Sequence, residues 1–75
     1  MTLKLSARQV ECLRLASYGQ TSPEIARSLG IAPRTVDQHL AIACARLGVR
    51  NRIQAVASAA VLGIFDVADP VEGRS

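Results

Sequence analysis

Aromatic residues are nearly absent from this 75-residue sequence, which has no tryptophan and only Tyr18 and Phe65. With few aromatic and β-branched runs to build strands, the apolar core must consist mainly of Leu, Ile, Val and Ala side chains. The same scarcity argues against single-stranded nucleic acid as a ligand, because its binding relies on aromatic stacking platforms. The composition therefore predicts one small all-α domain.

Residues for catalysis or metal binding are equally scarce. His39 is the one histidine, and no second ligand or nucleophile lies at a useful spacing from it. We therefore expect no enzyme activity, no cofactor and no metal, and we expect His39 to form a hydrogen bond between helices. Cys12 and Cys44 lie in apolar helical patterns without a CxxC spacing, which is typical of packed, reduced thiols in a cytoplasmic protein.

Long apolar runs are missing as well. The N-terminus lacks the apolar run of a signal peptide, and the apolar stretch 55–65 is too short to span a bilayer, so we expect no membrane partner. Residues 66–75 are polar and contain Pro70 and Gly73, which predicts a disordered tail after a folded domain at 1–65.

Basic residues dominate the N-terminal two thirds of the chain. Residues 1–52 contain eight lysines and arginines against three acidic residues, whereas the tail carries more acid than base. A basic folded part suits double-stranded DNA, because each phosphate contact releases counterions. An ordinary solvated surface explains the charge equally well by itself.

Start and stop signals predict four helices. A capping residue or a first-turn proline precedes each apolar pattern, and a glycine follows it. The signals are Ser6 with Gln9 and Tyr18-Gly19 for the first helix, Ser22-Pro23-Glu24 and Gly30 for the second, Pro33 and Leu47-Gly48 for the third, and Asn51-Arg52 and Leu62-Gly63 for the fourth.

The second and third helices, joined by Gly30-Ile31-Ala32, make a helix-turn-helix arrangement whose longer helix, 33–47, has the size to enter the DNA major groove. The exposed side of this helix carries small residues and little charge, whereas a merely solvated helix would carry more charge. Arginine pairs with guanine, glutamine with adenine and alanine with the thymine methyl group. An aspartate there either accepts from a cytosine amino group or orients a nearby arginine. The residues predicted to read bases are Arg34, Asp37, Gln38 and Ala41.

Phosphate contacts are predicted around the same helix. The start of the second helix offers hydroxyl groups, free amides and the positive end of a helix dipole. The predicted phosphate-binding residues are Thr21, Ser22, Thr35, Arg46, Arg50 and Arg52.

The fourth helix has two apolar sides. The side predicted to face the core consists of Ile53, Val56, Ala57, Ala60 and Ile64. The opposite side is flat and rich in alanine, which suits close contact with a second copy of the chain. The predicted dimer interface is Ala55, Ser58, Ala59 and Leu62.

Four ungapped segments carry a family resemblance. They read LSARQVECL at 5–13, GQTSPEIA at 19–26, IAPRTVDQH at 31–39 and RLGVRNR at 46–52. In this order and spacing they resemble the helix-turn-helix DNA-binding domain of LuxR-type transcription regulators, and segment 39–44 looks closest to the quorum-sensing branch. The resemblance implies a four-helix domain that dimerises through its fourth helix, and an arginine at the position of Arg52 that also braces the turn.

The sequence departs from the family pattern at four positions. Gln9 replaces the usual Glu, Ala32 the Ser that caps the recognition helix, Asp37 a frequent Lys or Asn, and Ile42 a frequent Asn. Residues 1–75 contain no signal-binding domain before the motif, and from Met1 and the polar tail we expect a free-standing regulator rather than an excised domain.

These observations leave three hypotheses. The first is a sequence-specific, dimeric regulator that binds duplex DNA. The second is a stand-alone anti-activator that pairs through its fourth helix with full-length LuxR-type regulators; Asp37 on the DNA-facing helix favours it. The third, a DNA-binding piece of a sigma-like factor, fits segment 46–52 less well.

Overall fold

The computed structural model describes residues 5–64, which form four helices and, within that range, no strand. In chain order the helices are α1 (Ala7–Ser17), α2 (Ser22–Leu29), α3 (Pro33–Leu47) and α4 (Arg52–Leu62). The predicted all-α class is confirmed. The predicted tail at 66–75 lies outside the described residues.

Side-chain caps start α1 and α2. The Ser6 hydroxyl accepts from the Gln9 amide at 3.1 Å, and the Gln9 side chain accepts from the Ser6 amide at 2.9 Å, which confirms the predicted capping box. At α2 the cap is Thr21 and not the predicted Ser22, because the Glu24 side chain, three residues after Thr21, accepts from the Thr21 amide at 2.8 Å. Ser22 is consequently the first residue of α2, and its hydroxyl is available for a tertiary contact.

The starts of α3 and α4 differ in whether a side chain caps them. The Asn51 side chain caps α4 by accepting from the Gln54 amide at 2.9 Å. Ala32 precedes α3 and forms no side-chain cap bond, as predicted from its missing hydroxyl. Among the four helices described, α3 alone begins without a side-chain cap.

A three-residue turn joins α2 to α3. Gly30 ends α2 in the left-handed conformation, with φ 71° and ψ 35°, which side chains other than glycine rarely adopt. The amides of Gly30 and Ile31 both donate to the Ala26 carbonyl, at 2.8 and 3.1 Å. These two bonds close the end of α2 and set the sharp change of direction that the helix-turn-helix motif requires.

The core is built from small and medium-sized side chains. α1 and α3 pack together and α4 packs against both, while α2 packs mainly on α3. Burial raises the pKa of the Cys12 thiol above its ordinary value, so the neutral thiol packs as an apolar group. The buried apolar residues are Cys12, Leu13, Ile25, Ala26, Val36, Leu40, Ala43, Ala55 and Ala59.

The predicted faces of α4 are wrong in part. Ala55 and Ala59 are fully buried in the core, so neither can form the predicted dimer interface, whereas Ile53 is 80% exposed. Alanines four residues apart let the backbone of α4 approach α1 and α3 closely, and a larger side chain would hold the helices apart. Of the predicted core side, Val56 and Ile64 do pack against the core, and Ala57 is exposed.

Ala59→Glu should therefore unfold the domain. A carboxylate placed without a partner in a fully buried site costs about 3–5 kcal/mol, which is comparable to the whole stability of a domain of this size. Ala57→Glu makes the same change on the exposed side of the same helix and should keep its helical signal at low concentration. Circular dichroism of both variants during urea titration tests this placement, which would be refuted by equal midpoints.

The missing cap of α3 can be supplied. The backbone of Ala32 is extended, with φ −77° and ψ 148°, the conformation of an N-cap residue. Ala32→Ser should raise the free energy of unfolding by about 0.5–2 kcal/mol, and Thr21→Ala should lower it by a similar amount. Thermal denaturation of the two variants and the wild type measures both changes; a destabilised Ala32→Ser would contradict the assignment.

Candidate nucleic-acid interface

Four predicted base-reading residues share one exposed side of α3. Arg34, Asp37, Gln38 and Ala41 are all exposed, and their spacing along the helix places them on neighbouring turns. Because Val36, Leu40 and Ala43 are buried on the other side, the orientation of α3 in the domain is fixed. The structure thus presents a row of one cation, one carboxylate, one amide and one methyl group.

The start of α2 offers fewer anion-binding amides than predicted. The Glu24 amide donates to the Thr21 hydroxyl, Pro23 has no amide hydrogen, and the Ile25 amide donates to the Thr21 carbonyl at 2.9 Å. At most the Ser22 amide is left among the first helical residues for a phosphate. The positive end of the helix dipole remains, while Glu24 in the first turn adds a negative charge there.

Ser22, Asp37 and Arg52 form a cluster, named here the polar cluster, that joins three helices. The Ser22 hydroxyl donates to Oδ1 of Asp37 at 2.5 Å and accepts from the Arg52 guanidinium at 2.6 Å. The same guanidinium nitrogen lies 3.7 Å from Asp37 Oδ1, in an ion pair whose side chains are 36% exposed for Arg52 and 64% for Asp37. The start of α2, the first half of α3 and the start of α4 therefore meet at one place on the surface.

The other predicted phosphate-binding residues are more widely spread. Arg50 is exposed in the connection between α3 and α4, and its amide donates to the Gln54 side chain at 2.9 Å. Thr35 is half-buried. Arg46 is exposed in the last turn of α3, about 18 Å along the helix axis from Arg34. The structure brings Ser22 and Arg52 together beside the base-reading row but does not bring Arg46 to that end.

His39 does not form the expected hydrogen bond at one of its ring nitrogens. The residue is half-buried, and its Nδ1 atom is buried with no hydrogen-bond partner among residues 5–64. In the same range, no group of three metal-ligating side chains comes together. No helix in the described part of the chain is long and apolar enough to cross a bilayer.

An exposed apolar strip on α4 was missed by the sequence analysis. Ile53, Ala57 and Val61 follow at intervals of four residues, and Ile53 and Val61 are 80% and 85% exposed. Leu62, at 55%, lies at the edge of the strip and borders a shallow depression that also involves Leu47. Contiguous exposed apolar side chains are typical of contact surfaces, so the strip is a candidate for one. The signal was the four-residue spacing of Ile53, Ala57 and Val61; Ile53 and Ala57 were wrongly assigned to the core, and Val61 was assigned to neither side of the helix.

A second surface feature lies between the end of α1 and α2. Tyr18 is half exposed at the end of α1. It borders an open, mostly polar groove with Gln20, Glu24 and Arg27. The groove had no counterpart in the sequence analysis; its residues come from the connection after α1 and from α2.

A family model and several curated proteins match most of this chain. The family model described as bacterial regulatory proteins, luxR family (GerE), matches residues 3–59. Among curated proteins, the HTH-type quorum sensing-dependent transcriptional regulator VjbR of Brucella ovis is 48% identical over 63 residues, 84% of this chain and 24% of that protein. The chain spans about a quarter of the length of the curated relatives it matches.

Two solved structures share the fold. The transcription factor GerE superposes with a TM-score of 0.82 at 28% identity, covering 91% of this chain and all of GerE. The Vibrio cholerae VqmA dimer, a LuxR-type receptor solved in the absence of its target DNA, has a TM-score of 0.78 at 37% identity. That match covers 83% of this chain and 28% of VqmA.

Proposed function

Since this chain belongs to the luxR family of bacterial regulatory proteins, a family of transcription regulators and not of enzymes, we propose that it binds duplex DNA sequence-specifically as a dimer. The observation that carries the proposal is the exposed row of Arg34, Gln38 and Ala41 on α3 beside the basic residues at the start of α4. By analogy with its relatives, the chain acts in the cytoplasm in quorum-sensing regulation.

The dimensions of α3 support insertion into the major groove. Fifteen residues make a helix roughly 22 Å long, and its width with side chains is about 10–12 Å. The major groove is about 12 Å wide. With the N-terminal half of α3 in the groove, Arg34 meets the base edges first, Gln38 follows one turn later, and Ala41 allows close approach.

Sequence reading and backbone binding are carried by different arginines. Arg34 lies in the row on α3, where a guanidinium donates to O6 and N7 of guanine. Arg50 lies outside α3 in the exposed connection, where it reaches phosphate and not base edges. The two residues therefore allow the two contributions to be measured separately.

Arg34→Ala should relax base preference and cost about 1–3 kcal/mol on the preferred duplex. Arg50→Ala should weaken binding to all duplexes alike and reduce the slope of log K against log salt by about 0.9. Arg8→Ala, which removes the same charge from α1, is the control and should change neither quantity appreciably. Fluorescence anisotropy with a random duplex pool and a duplex selected from it measures all three variants.

The salt dependence of duplex binding by the wild type tests whether this chain binds DNA at all. It should bind the random pool measurably at about 50 mM salt and much more weakly at about 200 mM, as expected for several phosphate contacts. A folded wild type that binds no duplex at low salt would exclude DNA binding by this chain.

The exposed apolar strip on α4 is the proposed dimer interface, in place of Ala55 and Ala59. Burying Ile53, Val61 and Leu62 against a second copy removes apolar surface from water in both chains at once. Across a two-fold axis the strip contacts itself, and the two copies of α3 then reach successive major grooves about 34 Å apart. Ser58, half-buried beside the strip, stays a predicted interface residue.

Val61→Glu should separate the copies without unfolding them. Val61 is 85% exposed, so the substitution leaves the core unchanged, but a two-fold contact would bring like charges together. The variant should keep its helical signal and lose cooperative binding to a duplex with two half-sites. Val61→Thr, which keeps the shape without the charge, should retain cooperative binding.

Sedimentation equilibrium at increasing concentration, with and without the two-site duplex, gives the mass of each species. Equal masses for wild type and Val61→Glu under every condition would eliminate this interface.

A second function, anti-activation, draws support from the same strip and from Asp37. A chain with a carboxylate on its DNA-facing helix and a free α4 strip would capture a full-length LuxR-type regulator in a heterodimer that binds DNA poorly. Mixing the chain with such a regulator distinguishes the two functions. If the wild-type chain removes the regulator from its operator and the Val61→Glu variant does not, anti-activation is supported. If the wild-type chain leaves the regulator's operator complex unchanged, anti-activation is excluded.

A further inference from the structure

Two groups of the polar cluster that were expected to contact phosphate, the Ser22 hydroxyl and the Arg52 guanidinium, already have partners within the protein. The Ser22 hydroxyl has one hydrogen, and Asp37 Oδ1 accepts it at 2.5 Å. A guanidinium nitrogen of Arg52 donates to the Ser22 oxygen at 2.6 Å and lies 3.7 Å from Asp37. A phosphate oxygen that approaches here therefore meets a Ser22 hydroxyl hydrogen and an Arg52 guanidinium nitrogen that already have partners, with the Asp37 carboxylate beside them.

We propose that Asp37 is a positioning residue that holds Ser22 and Arg52 in the polar cluster, so that duplex DNA has to compete with its carboxylate for both. The inference rests on the proposed DNA binding and names a residue that tunes it. Asp37 then acts on affinity for the DNA backbone. Of the two roles that the sequence left open, this corresponds to orienting a nearby arginine and not to reading a cytosine.

The exposure of the cluster makes this competition reversible. A carboxylate and a phosphate are both anions with acceptor oxygens, and both fit the donor fork of arginine. Asp37 is 64% exposed and its pair with Arg52 is wide, so water weakens the interaction and a phosphate can replace the carboxylate. Replacement also requires Asp37 to remain close to the incoming phosphate, which lowers the affinity further.

The matched substitution is Asp37→Asn, which keeps the size of the side chain and an oxygen that accepts from Ser22. It should bind a random duplex about three to ten times more tightly at low salt, and its salt slope should be steeper by about 0.9, the value of one further phosphate contact. The ratio of affinities for a selected duplex and the random pool should stay unchanged. A merely structural role would not alter the salt slope.

Two further variants separate competition from general repulsion. Glu11→Gln makes the same charge change on α1 and releases Arg8, which Glu11 binds at 3.2 Å. Glu11→Gln should give only a small part of the increase in duplex affinity that is expected of Asp37→Asn. In an Arg52→Gln background, Asp37→Asn should likewise give no more than this small gain, because no guanidinium remains to be released. Arg52→Met, which is also uncharged, replaces Arg52→Gln if the latter fails to fold.

The outcomes decide between the explanations. A full gain from Asp37→Asn in the Arg52→Gln background, or an equal gain from Glu11→Gln, would leave repulsion alone and overturn the proposal. A changed ratio between selected and random duplexes would make Asp37 a base reader and also overturn it. Duplex binding by the wild type with an unchanged slope for Asp37→Asn refutes only this inference, whereas folded proteins that all fail to bind refute the proposed function as well.

Discussion

The close approach of α4 to α1 and α3 is the constraint on which most of the surface depends. Ala55 and Ala59 supply it, because their methyl groups fill the contact without holding the backbones apart. With these two residues turned inward, Ile53, Val61 and Leu62 face outward, while Val56 packs at the edge of the core. Arg52, one turn before Ala55, is thereby placed beside the starts of α2 and α3. The apolar strip and the polar cluster are two results of one packing arrangement.

Helix boundaries could be predicted from the sequence because their causes are local. A serine followed by glutamine at the third helical position, or a glycine after the last apolar residue, places donor and acceptor within one turn, and Ser6 and Gly30 behave accordingly. The absent cap at Ala32 could be read in the same way. The cap of α2 was misassigned because the three-residue spacing of the capping box was not applied. Glu24 lies three residues after Thr21 and therefore completes a capping box with Thr21 and not with Ser22.

The orientation of α4 and the polar cluster could not be predicted, for related reasons. A helix with apolar residues on two sides gives no local signal for the buried side, and the decision comes from the space that α1 and α3 leave. Hydropathy favoured Ile53, whereas the available space favoured Ala59. Ser22, Asp37 and Arg52 are fifteen residues apart in succession, so only the folded chain brings them together. On α3 one buried side dominates, and there the periodicity gave the exposed row correctly.

Local opening of the backbone differs among the helices because of Ala32. Without a side-chain acceptor, the first turn of α3 is expected to open at a lower free energy than it would with a capping residue such as those of α1, α2 and α4. We therefore expect faster native-state hydrogen exchange at this helix end, which carries Arg34, than at the capped starts. A turn that opens and closes readily can settle into more than one geometry, but ordering it on contact costs conformational entropy. If the proposed DNA binding holds, such a start of α3 would exchange some discrimination between related sites for tolerance of variation among them.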